Sequence, residues 1–154
     1  MTHRPASPGI EALLPHGAGA RLLDRVISVD RGQLVAEAHV GGATIFSEAD
    51  GSLMGWHAAE MMAQAVSAYS TATRPGDGPA RIGLLLGVRG LRCLLPAFPA
   101  GSRLEVRVRE STRDGLGMAV FDCEVIMEGS RVATGTLTAY EPVDAHALLR
   151  DGGP

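Results

Sequence analysis

The chain has 154 residues and a mass of 16.0 kDa, enough for one domain and too little for a second core. Hydrophobic residues make up 45% and charged residues 20%, a globular composition rather than that of a disordered chain. Lys and Arg together number 14 against 17 acidic residues, a net charge of -3, which argues against a nucleic-acid partner held by phosphate neutralisation.

All of the basic residues are Arg, so Schiff-base lysine chemistry, pyridoxal attachment and a Walker-loop lysine are excluded together. Prolines at Pro5, Pro8 and Pro15 break the N-terminal stretch, which lacks the apolar run of a secretory signal. No segment reaches the ~18 uninterrupted apolar residues of a membrane span. A soluble, cytoplasmic protein is expected.

Taken in order, Ile10 to Leu14 after Ser7-Pro8-Gly9 predicts a single helical turn stopped by Pro15. Arg21–Asp30 and Gln33–Val40 alternate apolar and polar residues around Arg31-Gly32, a hairpin signal. Leu53 to about Thr73 is proline-free and rich in Ala and Met, which predicts one long helix ended by the Pro/Gly cluster from Arg74 to Pro79. Strands are expected over Ile82–Leu95, Ser102–Ser111, Met118–Met127 and Arg131–Tyr140, with turns too short for crossover helices and hence an antiparallel sheet. The tail from Asp144 is expected to fray. Cys93 and Cys123 form no CxxC pair and read as reduced apolar side chains. One long helix and five to six strands give an α+β pattern.

Apolar residues cover nearly every direction around the predicted helix, so the sheet must wrap it. His57, Glu60, Gln64, Ser67 and Thr71 follow 3-4-3-4 spacing and fall within an arc of roughly 80°. Such a stripe is either a face left to solvent or a site. Glu60 is the helix's single carboxylate, and apolar surroundings disfavour its charged form, which suits it to hold or donate a proton near neutral pH. Gly55, near the helix start, lets a carbonyl oxygen approach backbone N–H groups that lack partners within the helix.

Leu14-Pro15-His16, then Leu22-Leu23-Asp24-Arg25-Val26, then Glu60-Met61-Met62-Ala63-Gln64 resemble the LPH…LxDRV…EAMAQ series of the 3-hydroxyacyl-(acyl-carrier-protein) dehydratases with a hotdog fold. Leu86-Gly87-Val88-Arg89 and Phe98-Pro99-Ala100-Gly101-Ser102-Arg103-Leu104 extend the similarity, which runs from about Leu13 to Pro142. Phe46, Asp50-Gly51, Gly55 and Gly83 to Gly87 add a likeness to the dehydratase-like proteins of aryl-polyene biosynthesis. The resemblance implies one hotdog domain over 1–154, its core about 13–142. It also implies a homodimer, or a heterodimer with a related hotdog subunit, holding the acyl site at the interface.

In that family a loop His takes the proton beside the carbonyl, a helix acid helps expel the hydroxyl, and backbone N–H groups hold the thioester oxygen. The resemblance places Glu60 and Gly55 on the acid and glycine positions, with Gln64 beside them. The loop His is absent: ungapped counting puts Phe46 at its position, and loop matching puts Asp50 there. His57, one turn before Glu60, and Asp50 are the candidate substitutes, each with a plainer use, a solvent-facing His or a helix-capping Asp. His16 is read as structural. Arg89, Arg92, Arg103 and Arg107 are either a basic patch for phosphopantetheine or a carrier protein, or ordinary solvated arginines. The expected substrate is an acyl thioester on acyl-carrier protein or coenzyme A, with no metal or organic cofactor. The competing readings are an active dehydratase, a degenerate subunit that completes a catalytic homologue's dimer, and a thioesterase.

Overall fold

The computed structural model describes residues 8–76 and 83–142. The expected fraying from Asp144 onward lies outside them, as do parts of the Pro/Gly cluster. A short helix α1 (Ile10–Leu13) leads into a 3-10 turn at Ala18–Ala20. Strands β1 (Arg25–Asp30) and β2 (Gln33–His39) form the predicted hairpin, with Gly32 at φ +96° in its turn. A two-residue strand β3 (Leu53–Met54) and a 3-10 turn at Gly55–His57 precede the long helix α2 (Ala58–Thr73). Then come β4 (Leu84–Cys93), β5 (Ala97–Phe98), β6 (Arg103–Arg113), β7 (Met118–Met127) and β8 (Ser130–Tyr140).

Six strands form one antiparallel sheet in the order β1-β2-β6-β7-β8-β4, and β3 pairs with β5 apart from it. Alternation along the strands decides which side meets the helix. Leu104, Val106 and Val108 of β6, Phe121 and Val125 of β7 and Leu137 of β8 are fully buried. They share one core with Met61, Met62, Ala65 and Ala68 of α2, while Arg103, Arg107 and Arg109 of β6 are exposed. The sheet curls around the helix in the hotdog arrangement that the apolar circumference of α2 requires. Among the described residues no helix is long and apolar enough to cross a membrane.

The helix begins later than its composition predicts. Leu53 pairs with Phe98 and the Gly55 N–H donates to the Pro96 carbonyl at 2.8 Å, so long-range strand pairing takes the segment that propensity assigned to the first turn. A Cβ on Gly55 would collide with the Leu95 carbonyl, so only glycine fits there.

On the outer face, Glu37 is 7% exposed and clasped by Arg25, Nε to Oε1 at 3.1 Å and Nη2 to Oε2 at 3.2 Å. The Arg25 guanidinium holds the Glu37 carboxyl below its ordinary range. The unfolded carboxyl therefore binds its proton at a higher pH than the folded one. The contribution is complete above the ordinary Glu range and is lost as pH falls through the lowered folded value. Thermal melting followed from about pH 7 to about pH 3 should decline on acidification, and Glu37→Gln should flatten part of that slope. An unchanged slope would refute this account.

Candidate functional site

The site is built on the first turns of α2. Gln64 is fully buried, and its amide is oriented by its partners. Its Oε1 accepts from the Leu22 N–H at 2.8 Å, which leaves Nε2 to donate to the Ala20 carbonyl at 2.8 Å and to Glu60 Oε1 at 2.9 Å. A buried amide with every partner met resists rotation, because any other rotamer orphans backbone groups. Gln64 thus fixes Glu60, one turn earlier, on one carboxylate oxygen and leaves the other available.

The Glu60 side chain is 34% exposed and opens on a cavity of about 380 Å³ between α2 and the β4, β7 and β8 end of the sheet. Ala63, Val66, Leu84, Leu85, Ala119 and Phe121 supply its apolar wall. Ser67 also lines it, so the polar stripe of the helix faces this cavity at Glu60 and Ser67. A carboxylate at the mouth of a mostly apolar cavity meets a substrate where water is displaced, which strengthens its proton chemistry.

His16, read from the sequence as structural, also lines this cavity. The segment after α1 carries Pro15 and His16 into the cavity wall, and His16 Nε2 stands 3.7 Å from Glu60 Oε1. No spacing rule connects a side chain in the lead-in to one on α2; only the three-dimensional fold does.

The remaining sequence candidates sit elsewhere. His57, a candidate substitute for the loop histidine, packs its ring on Phe46 and Trp56, with centroids 5.1 and 5.7 Å apart. The late start of α2 explains this, since His57 ends the 3-10 turn rather than lying a full α-helical turn below Glu60. Phe46 is half-buried against the core. Asp50 is exposed, and its Oδ1 accepts from the Ser52 hydroxyl at 2.6 Å and the Ser52 N–H at 2.9 Å, the former chiefly holding its carboxyl below the ordinary range. This is the turn-capping use of Asp. The Gly55 N–H, expected to be open to a substrate carbonyl, is already occupied by Pro96.

Arg103 and Arg107 are engaged by carboxylates, Arg103 with Glu37 and Arg107 with Glu105 and Glu124. Cys93 Sγ donates to the Gly55 carbonyl at 3.2 Å, and burial pushes the Cys123 thiol up to about 12. Among the described residues no three His, Cys, Asp or Glu side chains cluster to hold a metal ion.

A curled antiparallel sheet around one helix, with a fixed helix carboxylate facing an apolar cavity, defines a hotdog-fold protein built like the dehydratases and thioesterases. A family model described as ApeP dehydratase, for ApeP-like proteins, matches residues 8–150, and the chain belongs to that family. It is similar to the dehydratase heterocomplex ApeI:P from Xenorhabdus doucetiae, with 32% identity over 95% of this chain and 99% of that one and a TM-score of 0.85. The PaaI protein of E. coli shares the fold at 17% identity, over 75% of this chain and 81% of that one, with a TM-score of 0.58. So does a hypothetical thioesterase from Streptococcus pneumoniae TIGR4, at 14% identity, 76% and 84% coverage and a TM-score of 0.57. No curated protein sequence matches the chain.

Proposed function

We propose that this chain is a dehydratase-like hotdog subunit that removes water from 3-hydroxyacyl thioesters carried by acyl-carrier protein or coenzyme A, working in complex with a second hotdog subunit. The observation that carries the reading is Glu60, fixed by the fully buried Gln64 at the mouth of an apolar cavity large enough for an acyl chain. In this reading Glu60 gives a proton to the departing hydroxyl, Gln64 positions it, and the apolar wall takes the chain. His57 and Asp50 carry no proton step.

Partnering is supported by the sheet edge. Among the described residues β4 pairs with β8 alone, and it carries Leu84, Leu85 and Leu86 at 39%, 48% and 54% exposure. An unpaired strand edge lined with leucine is a template for another chain's strand. The similarity to a chain of a dehydratase heterocomplex supports a different chain as the partner, although a second copy has the same edge to offer. The degenerate-subunit reading rests on the absent loop histidine.

The test is co-expression with a related hotdog chain, followed by assay of alkene formation from a 3-hydroxyacyl thioester. Alkene formation supports the proposal. Free thiol without alkene identifies a thioesterase and overturns it, and so does a complex whose activity survives loss of this chain's Glu60 carboxylate. Leu86→Asp is expected to shift the assembly to monomers in light scattering while the chain stays folded. An unchanged mass would remove β4 from the interface.

A further inference from the structure

We infer that His16 is the proton partner of Glu60, so that a histidine from the N-terminal lead-in does the work for which the chain lacks a loop histidine. This rests on the dehydratase reading above. Three observations converge on it. His16 Nε2 lies 3.7 Å from Glu60 Oε1, one small displacement from a hydrogen bond. Both side chains line the same apolar cavity, and they are partly exposed to it rather than sealed in the core. His16 Nδ1 is buried without a hydrogen-bond partner among the described residues, so Nε2 is the nitrogen the ring presents to Glu60 and to a bound molecule. A structural histidine ordinarily spends its ring nitrogens on backbone or carboxylate partners. This one spends neither on the fold.

The backbone explains how the pair is held. Ile10, Leu13 and Leu14 are buried and anchor α1 against the core, and Pro15 restricts the chain that leads to His16. On the other side, Gln64 ties Glu60 to the carbonyl of Ala20 and the N–H of Leu22. The same amide therefore links the segment that carries His16 to the helix that carries Glu60.

The step balances without a cofactor. His16 Nε2 takes a proton from the carbon between the carbonyl and the hydroxyl-bearing carbon. The electron pair of that C–H bond becomes the new C=C bond as the C–O bond breaks. The protonated Glu60 carboxyl gives its proton to the departing hydroxyl, which leaves as water. The proton on His16 then passes to the Glu60 carboxylate beside it, and both groups are reset.

The experiment measures kcat for alkene formation against pH in the assembled complex, for the wild type, His16→Gln and His16→Asn. Both variants are expected to lose on the order of 100-fold or more in kcat, with melting temperature and assembly mass unchanged. They should also lose the acidic limb of the profile, where the base must shed its proton. A merely structural role would lower kcat evenly and keep that limb. Variants that keep at least half the rate with an unaltered profile overturn this inference alone. An inert wild-type complex overturns the dehydratase reading, and this inference with it.

Discussion

Glu60→Gln is expected to lower alkene formation by about 100-fold to 10,000-fold, the range that a positioned acid or base supplies. The substitution keeps size and shape, and it keeps an oxygen that can accept from the Gln64 amide where Glu60 Oε1 now accepts at 2.9 Å. What disappears is a group able to give up a proton to the departing hydroxyl. The Glu60 side chain is 34% exposed, so the neutral replacement leaves no buried charge unpaired and the melting temperature should change little. Loss of rate without loss of fold is thus the signature of chemistry at Glu60. Thioester binding, followed by fluorescence of a labelled acyl analogue, should be retained, because Ala63, Val66, Leu84 and Phe121 still form the apolar wall. A variant that turns over at the wild-type rate would remove Glu60 from the reaction. A variant that loses binding and rate together would reassign it to substrate recognition.

The fold was legible in the sequence because its strongest constraints are local and periodic. The apolar circumference of the helix dictates a wrapping sheet, and Phe121, Val125 and Leu137 are buried where strand alternation places them. The start of the helix was not legible. Leu53 and Met54 belong to a strand pair with Ala97 and Phe98, a partnership set by chain closure far along the sequence rather than by propensity. That shift carries His57 into a 3-10 turn and gives the Gly55 N–H to Pro96. Glu60 and Gln64 were legible as neighbours on one stripe, since an interval of four residues fixes them on one helix face. The full burial of Gln64 was not, because its partners, Leu22 and Ala20, come from the lead-in. His16 reaches Glu60 by the same route, and nothing in its local sequence distinguishes a cavity-facing histidine from a structural one.

Gln64→Met tests whether this amide is the joint between lead-in and helix. Met has nearly the same length and fills the same space, so the change removes hydrogen bonding with little change in volume. It leaves the Leu22 N–H and the Ala20 carbonyl without the partners they now have at 2.8 Å each. A buried backbone group without a partner costs about 1–3 kcal/mol, so the pair is expected to cost about 3 kcal/mol. For a domain of this size that is a fall of about 10 °C in melting temperature, read by calorimetry. The same substitution frees the Glu60 carboxylate to swing and loosens the segment that carries His16, so turnover should fall further than the lost stability alone explains, even well below the melting transition. Gln64→Glu separates the two effects. It restores an acceptor for Leu22 but sets a second carboxylate against Glu60, so stability should partly recover while the activity profile shifts with pH. Were Gln64→Met to melt within a degree or so of the wild type, the lead-in would be held by apolar packing at Ile10, Leu13 and Leu14 alone, and the amide would be a tuner of Glu60 and not a joint.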